Sequence, residues 1–158
     1  MTAWVLGFDD IEAASADQVG GKGAGLAALA RLAGVSVPPG FCVTTAAFER
    51  WQAPDGPVPA EVAAAIVERL AGLPGPVAVR SSAVGEDGAA ASFAGLHDSF
   101  LGVEGAEAVL AGVVACWRSA SSARAVAYRQ ARGLPASPMA VVVQRMVAPT
   151  AAGVLFTA

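Results

Sequence analysis

One lysine, one histidine and one tyrosine are spread over 158 residues, and only 15% of the chain is charged. The single histidine, His97, leaves no His/Cys cluster for zinc and reads as a structural imidazole rather than a catalyst. Cys42 and Cys116 lack the CxxC spacing of a redox or metal pair and read as buried apolar thiols. No Ser/His/Asp arrangement and no helix with paired inward carboxylates stands out, so no metal ligand is assigned. Asp9-Asp10 and Glu86-Asp87 are adjacent pairs, whose side chains diverge or sit in solvent. Positive charge forms no Lys/Arg run, and the net charge is −3, which argues against a nucleic-acid partner. No apolar run reaches the roughly 18–20 residues that span a bilayer. The longest, Ala108–Trp117, fits a buried helix. The opening MTAWVLGFDD has no basic segment of the signal-peptide kind. The expectation is a cytoplasmic protein with no membrane partner.

What is present is apolar and small. Hydrophobic residues make up 55% of the chain, and the mean hydropathy is +0.56. Much of this is alanine, so residues 1–158 can bury one domain's core built from small side chains. Strands are expected at Trp4–Phe8, Phe41–Thr45, Val77–Val79, Phe93–Val103, Met139–Val147 and Gly153–Thr157. Helices are expected at Gly21–Ala33, Ala46–Trp51 (capped by Thr44 or Thr45), Ala60–Ala71, Glu104–Ser119 and Ser121–Arg132. Gln52–Pro59 reads as a loop. Strands and helices mix without strict βαβ spacing, which implies an α+β fold with a mixed, partly antiparallel sheet.

Four stretches carry chemistry. Gly20-Gly21-Lys22-Gly23-Ala24-Gly25 places the only lysine on glycines where a helix begins. It is neither a Walker A loop nor a dinucleotide fingerprint. Backbone N–H groups at a helix start favour an anion, and Lys22 adds a point charge; the plain alternative is a Gly-rich turn with a solvated lysine. Val77-Ala78-Val79 delivers Arg80-Ser81-Ser82 at the end of an apolar strand. The guanidinium fork suits phosphate oxygens, or equally a structural carboxylate. The small-residue loop from Glu86 through Ser92, Phe93, Ala94 and Gly95 can close over a ligand or simply lie on the surface. Gln144-Arg145-Met146-Val147 ends the best strand and can meet a flat ring, or be an ordinary strand end.

Taken in order, VGGKGAGL, VPPGFCVTTAAF, VAVRSSAVGED, ASFAGLHDSFLGV and VVVQRMVAPTAAGVLFT resemble the N-terminal ATP-grasp region of phosphoenolpyruvate synthases, rifampin phosphotransferases and pyruvate, phosphate dikinases. The resemblance runs from about Val19 to Thr157. It implies ATP as ligand, with Lys22 and Arg80 as the phosphate-binding cations. It implies Ser92, Phe93, Ala94 and Gly95 as a closing loop, and Gln144, Met146 and Val147 at the adenine. It further implies that the ATP β-phosphate passes through a phosphohistidine to pyruvate or a rifamycin, with Mg²⁺ held by a later half of the region. Neither that half nor the phosphohistidine motif matches anything here, and Trp51–Pro76 reads as abbreviated. The expected partners are therefore ATP and a downstream or split chain, with self-association through an unpaired strand edge. A module that only binds nucleotide or a partner, or a fragment without activity, is the alternative.

Overall fold

The computed structural model describes residues 3–10, 16–51, 56–85, 98–133, 136–151 and 153. In chain order the elements are β1 (Val5–Gly7), α1 (Ala16–Ala30), β2 (Gly40–Val43), α2 (Thr45–Arg50) and α3 (Ala60–Ala71). They continue with β3 (Val77–Ala83), β4 (Ser99–Val103), α4 (Ala106–Ser119), α5 (Ala123–Arg132) and β5 (Met139–Arg145). The strands form one sheet in the order β1-β2-β5-β3-β4. This is the expected α+β class, and among the described strands every pairing is antiparallel.

β5 lies at the centre, and Met139–Val143 are all buried. A strand covered on both faces needs apolar side chains at every position, which explains its unbroken run. On one face Phe41, Val43, Val77, Val79, Val141 and Val143 pack with Val62 and Ile66 of α3 and with Val109, Val113 and Trp117 of α4. On the other, Cys42 and Val142 pack with Val19 and Ala27 of α1 and with Phe8. The sheet is thus sandwiched between α1 and the α3–α4 pair.

Local differences from expectation have local causes. Thr44 occupies the N-cap of α2, but its hydroxyl makes no cap bond. It donates instead to the Ala3 carbonyl at 2.9 Å, tying α2 to the lead-in of β1. β5 stops at Arg145, so Met146 and Val147 lie beyond the strand; the Met146 N–H donates to the Pro76 carbonyl at 2.9 Å. β3 runs on through Arg80 to Ala83, because β5 pairs with it along its whole length. α5 is capped by Ser122, whose Oγ accepts from the Ala125 N–H at 3.2 Å. Residues 154–157 of the strand expected at Gly153–Thr157 and the first half of Phe93–Val103 lie outside the described residues.

Candidate functional site

α1 is the expected glycine-rich helix, but it starts earlier, at Ala16, and is broken at Gly20. There φ is 68° and ψ is 176°, a conformation essentially confined to glycine. A Cβ at Gly20 would also come within 2.5 Å of the Ser82 backbone. Both conditions demand glycine. The effect is that a fresh helical segment begins at Gly21, with Lys22 in its first turn.

Ser82 is what the break is fitted around. Its hydroxyl, fully buried, donates to the Val19 carbonyl at 2.7 Å and accepts from the Gly23 N–H at 3.1 Å. Gly23 in turn sits hard against Cys42, whose sulfur would lie 2.8 Å from a Cβ there. Sequence reasoning did not single out Ser82 for this role. The signal was the hydroxyl two residues beyond Arg80, at the spacing that puts both on one face of a strand.

That face is the one α1 covers. Arg80 is the one half-buried residue of β3, between Val79 and Ser81, both buried. It stands opposite Val142 of β5, while Ala78 stands opposite Gln144. Among the described residues nothing pairs with the Arg80 guanidinium, which is unusual for an arginine partly withdrawn from water. Lys22 belongs to the helical turn anchored on Ser82, two residues along β3 from Arg80. Its charge reaches the Cys116 thiol, which lies 3.8 Å from the Asp98 carbonyl oxygen. Burial pushes that thiol up to about 12, and the Asp98 charge adds to the rise while Lys22 opposes it. Burial likewise takes Cys42 to about 12. Neither thiol is a nucleophile at neutral pH.

The other expected site residues are less gathered. Gln144 is on the Arg80 face, but its amide donates to the Pro38 carbonyl at 3.0 Å. The Arg145 N–H donates to the Pro39 carbonyl and the Met146 N–H to the Pro76 carbonyl, so these two backbone donors of the stretch are already engaged. Val147 is 58% exposed. Ser92, Phe93, Ala94 and Gly95 lie outside the described residues, as does His97. A cavity of about 700 Å³ lies elsewhere, between α3 and the β1–β2 edge, lined by Trp4, Phe41, Ala65, Glu68, Arg69 and Leu73. Arg69 is already bound to Asp10 at 2.8 Å there. Among the described residues, the α1–β3 junction is where a guanidinium without a described partner and the glycine-rich turn come together.

The comparisons with known proteins decide the family. The model of the pyruvate phosphate dikinase AMP/ATP-binding domain matches residues 16–54 and 52–158. This chain belongs to that family. Among dikinase-domain relatives, a rifampicin phosphotransferase from a Streptomyces species is 43% identical over 192 residues, covering 98% of this chain and 22% of the relative. The rifampicin phosphotransferase of Bacillus subtilis is 35% identical over 196 residues, covering 100% of this chain and 23% of the relative. A probable phosphoenolpyruvate synthase from Methanothermobacter thermautotrophicus is 34% identical over 200 residues, covering 99% and 29% respectively. The chain therefore spans about a quarter of the length of these relatives. No described helix is long and apolar enough to cross a membrane.

Proposed function

We propose that the chain is the ATP-binding part of a dikinase-type phosphotransferase, an ATP-grasp region in which Lys22 and Arg80 hold the triphosphate. The observation that carries this reading is the half-buried guanidinium of Arg80, without a partner among the described residues, on the face of β3 that α1 covers where its helix restarts at the Lys22 turn. Phosphoryl transfer asks for positioning and charge neutralisation more than covalent help. A guanidinium fork, a lysine and the positive end of a helix start supply that kind of field. Ser92-Phe93-Ala94-Gly95 is the proposed closing loop, and Gln144, Met146 and Val147 the proposed adenine segment.

By the resemblance, transfer of the β-phosphate through a phosphohistidine to pyruvate or a rifamycin is assigned to segments outside this span. Supply of those parts by a downstream or separate chain completes the proposal. Mg²⁺, which the resemblance implies, finds no group of three His, Cys, Asp or Glu side chains among the described residues. With much of the triphosphate charge left uncompensated, the 158 residues alone bind ATP weakly and transfer no phosphate.

The test is isothermal titration calorimetry with ATP on the wild type and on Arg80→Gln. Loss of one charge-assisted contact weakens binding about tenfold or more. Undiminished binding by Arg80→Gln, or no binding by the wild type at millimolar ATP, overturns the reading.

A further inference from the structure

In an unbroken α-helix the N–H of residue 23 bonds to the carbonyl of residue 19. In this chain the Ser82 hydroxyl bridges that same pair, accepting from Gly23 and donating to Val19. A side chain inserted into the helical ladder is a recognised cause of a kink, and the kink falls between its two partners, at Gly20. We infer that Ser82 is a positioning residue: its hydroxyl, wedged between Val19 and Gly23, holds α1 open at Gly20 and so sets the Lys22 turn against Arg80. This deepens the phosphate-binding reading and rests on it.

Three features make the wedge a device rather than a chance contact. Ser82 is on the central part of the sheet, with its backbone paired to Ala140, so the hydroxyl has a rigid base. Gly20 has no Cβ, and only its absence lets the chain approach the Ser82 backbone so closely. Gly23 lacks a Cβ as well, and the Cys42 sulfur fills the space one would need. The helix is therefore held at both ends of the break, on β3 through Ser82 and on β2 through Cys42. Without the hydroxyl, the Gly23 N–H and the Val19 carbonyl are free to close on one another. The break then relaxes, and the first turn carrying Lys22 rotates away from its place beside Arg80.

The test separates positioning from stability and uses inorganic tripolyphosphate as probe. Ser82→Ala, Ser119→Ala and Arg80→Gln are compared with the wild type by calorimetry and by thermal melting. Ser119 is a buried hydroxyl on α4, bonded to the Cys116 carbonyl at 2.7 Å, so its loss controls for stability. The expected result is about a tenfold loss of tripolyphosphate affinity in Ser82→Ala, with less than about twofold in Ser119→Ala. Ser82→Thr, which keeps the hydroxyl, restores affinity. If Ser82→Ala does not fold, Ser82→Cys, a weak donor and acceptor of similar size, takes its place in the same comparison. Wild-type affinity in a folded Ser82→Ala or Ser82→Cys, while Arg80→Gln is impaired, overturns the wedge and leaves the phosphate site standing. Wild-type affinity in Arg80→Gln overturns the phosphate site itself.

Discussion

Gly20 shows how much a single residue decides. Its φ of 68° and its approach to the Ser82 backbone leave no room for a side chain. Gly20→Ala is expected to cost at least about 2 kcal/mol of stability, from the backbone strain alone, before the clash is relieved. Urea denaturation checks this, and a loss below 1 kcal/mol would mean that the break is soft. The two thiols make a second prediction. Each is held near pKa 12 by burial, against an ordinary 9.0. Above about pH 9 the unfolded chain gives up protons that the native state keeps, so the unfolded state is favoured as pH rises. Stability is therefore full below pH 9 and falls progressively towards pH 12. The urea midpoint followed between about pH 8 and pH 11 should drop, and Cys42→Ala should flatten the drop.

Elements were legible where one signal dominated. β5 announced itself through Met139–Val143, and α3 through Val62 and Ile66 on one face. α5 was read close to its observed span, though its Ser122 cap and left-handed Gly133 were not singled out in the sequence. The break in α1 was not legible, because it depends on a hydroxyl 62 positions further along the chain, and local pattern carries no such information. The same holds for Thr44, whose hydroxyl serves β1 rather than α2. Of the candidate site, Arg80 and Lys22 were singled out by residue type and by flanking glycines or apolar strand. The engagement of Gln144 with Pro38 was not, since it is a contact between distant segments. α4 carries a prediction of its own. Trp117 is fully buried, 5.3 Å from Trp51 and 6.2 Å from Phe48 between ring centroids. Its indole N–H has no hydrogen-bond partner among the described residues. Trp117→Ala should cost about 3–5 kcal/mol, and Trp117→Phe clearly less, because no hydrogen bond is lost. Equal losses in the two, by thermal melting, would contradict this.

At the scale of the molecule, the chain is a shortened version of its relatives' matching segment. The alignments run over 192–200 positions, more than the 158 residues here, so the relatives carry residues that this chain does not. The family match divides around residues 52–54, within the stretch that reads as abbreviated. The short connection is closed by the Trp51 indole N–H, which donates to the Gly56 carbonyl at 3.1 Å. Loop length is thermodynamically cheap, so doubling this connection with Gly/Ser residues after Ala53 should cost only about 0.6 kcal/mol, measured by urea denaturation. A large loss would mean that the shortened path itself holds α2 against α3. The sheet and its two covering layers thus stand on the remaining elements, and they bring α1 and β3 together. The most direct measurement of what that junction does is a titration of the ¹⁵N-labelled chain with ATP, followed by residue-resolved NMR. The account predicts shifts centred on Gly20–Gly23 and on Arg80–Ser82. Shifts centred instead on Trp4, Phe41 and Arg69 around the cavity between α3 and the β1–β2 edge, or no shifts at all, would contradict it.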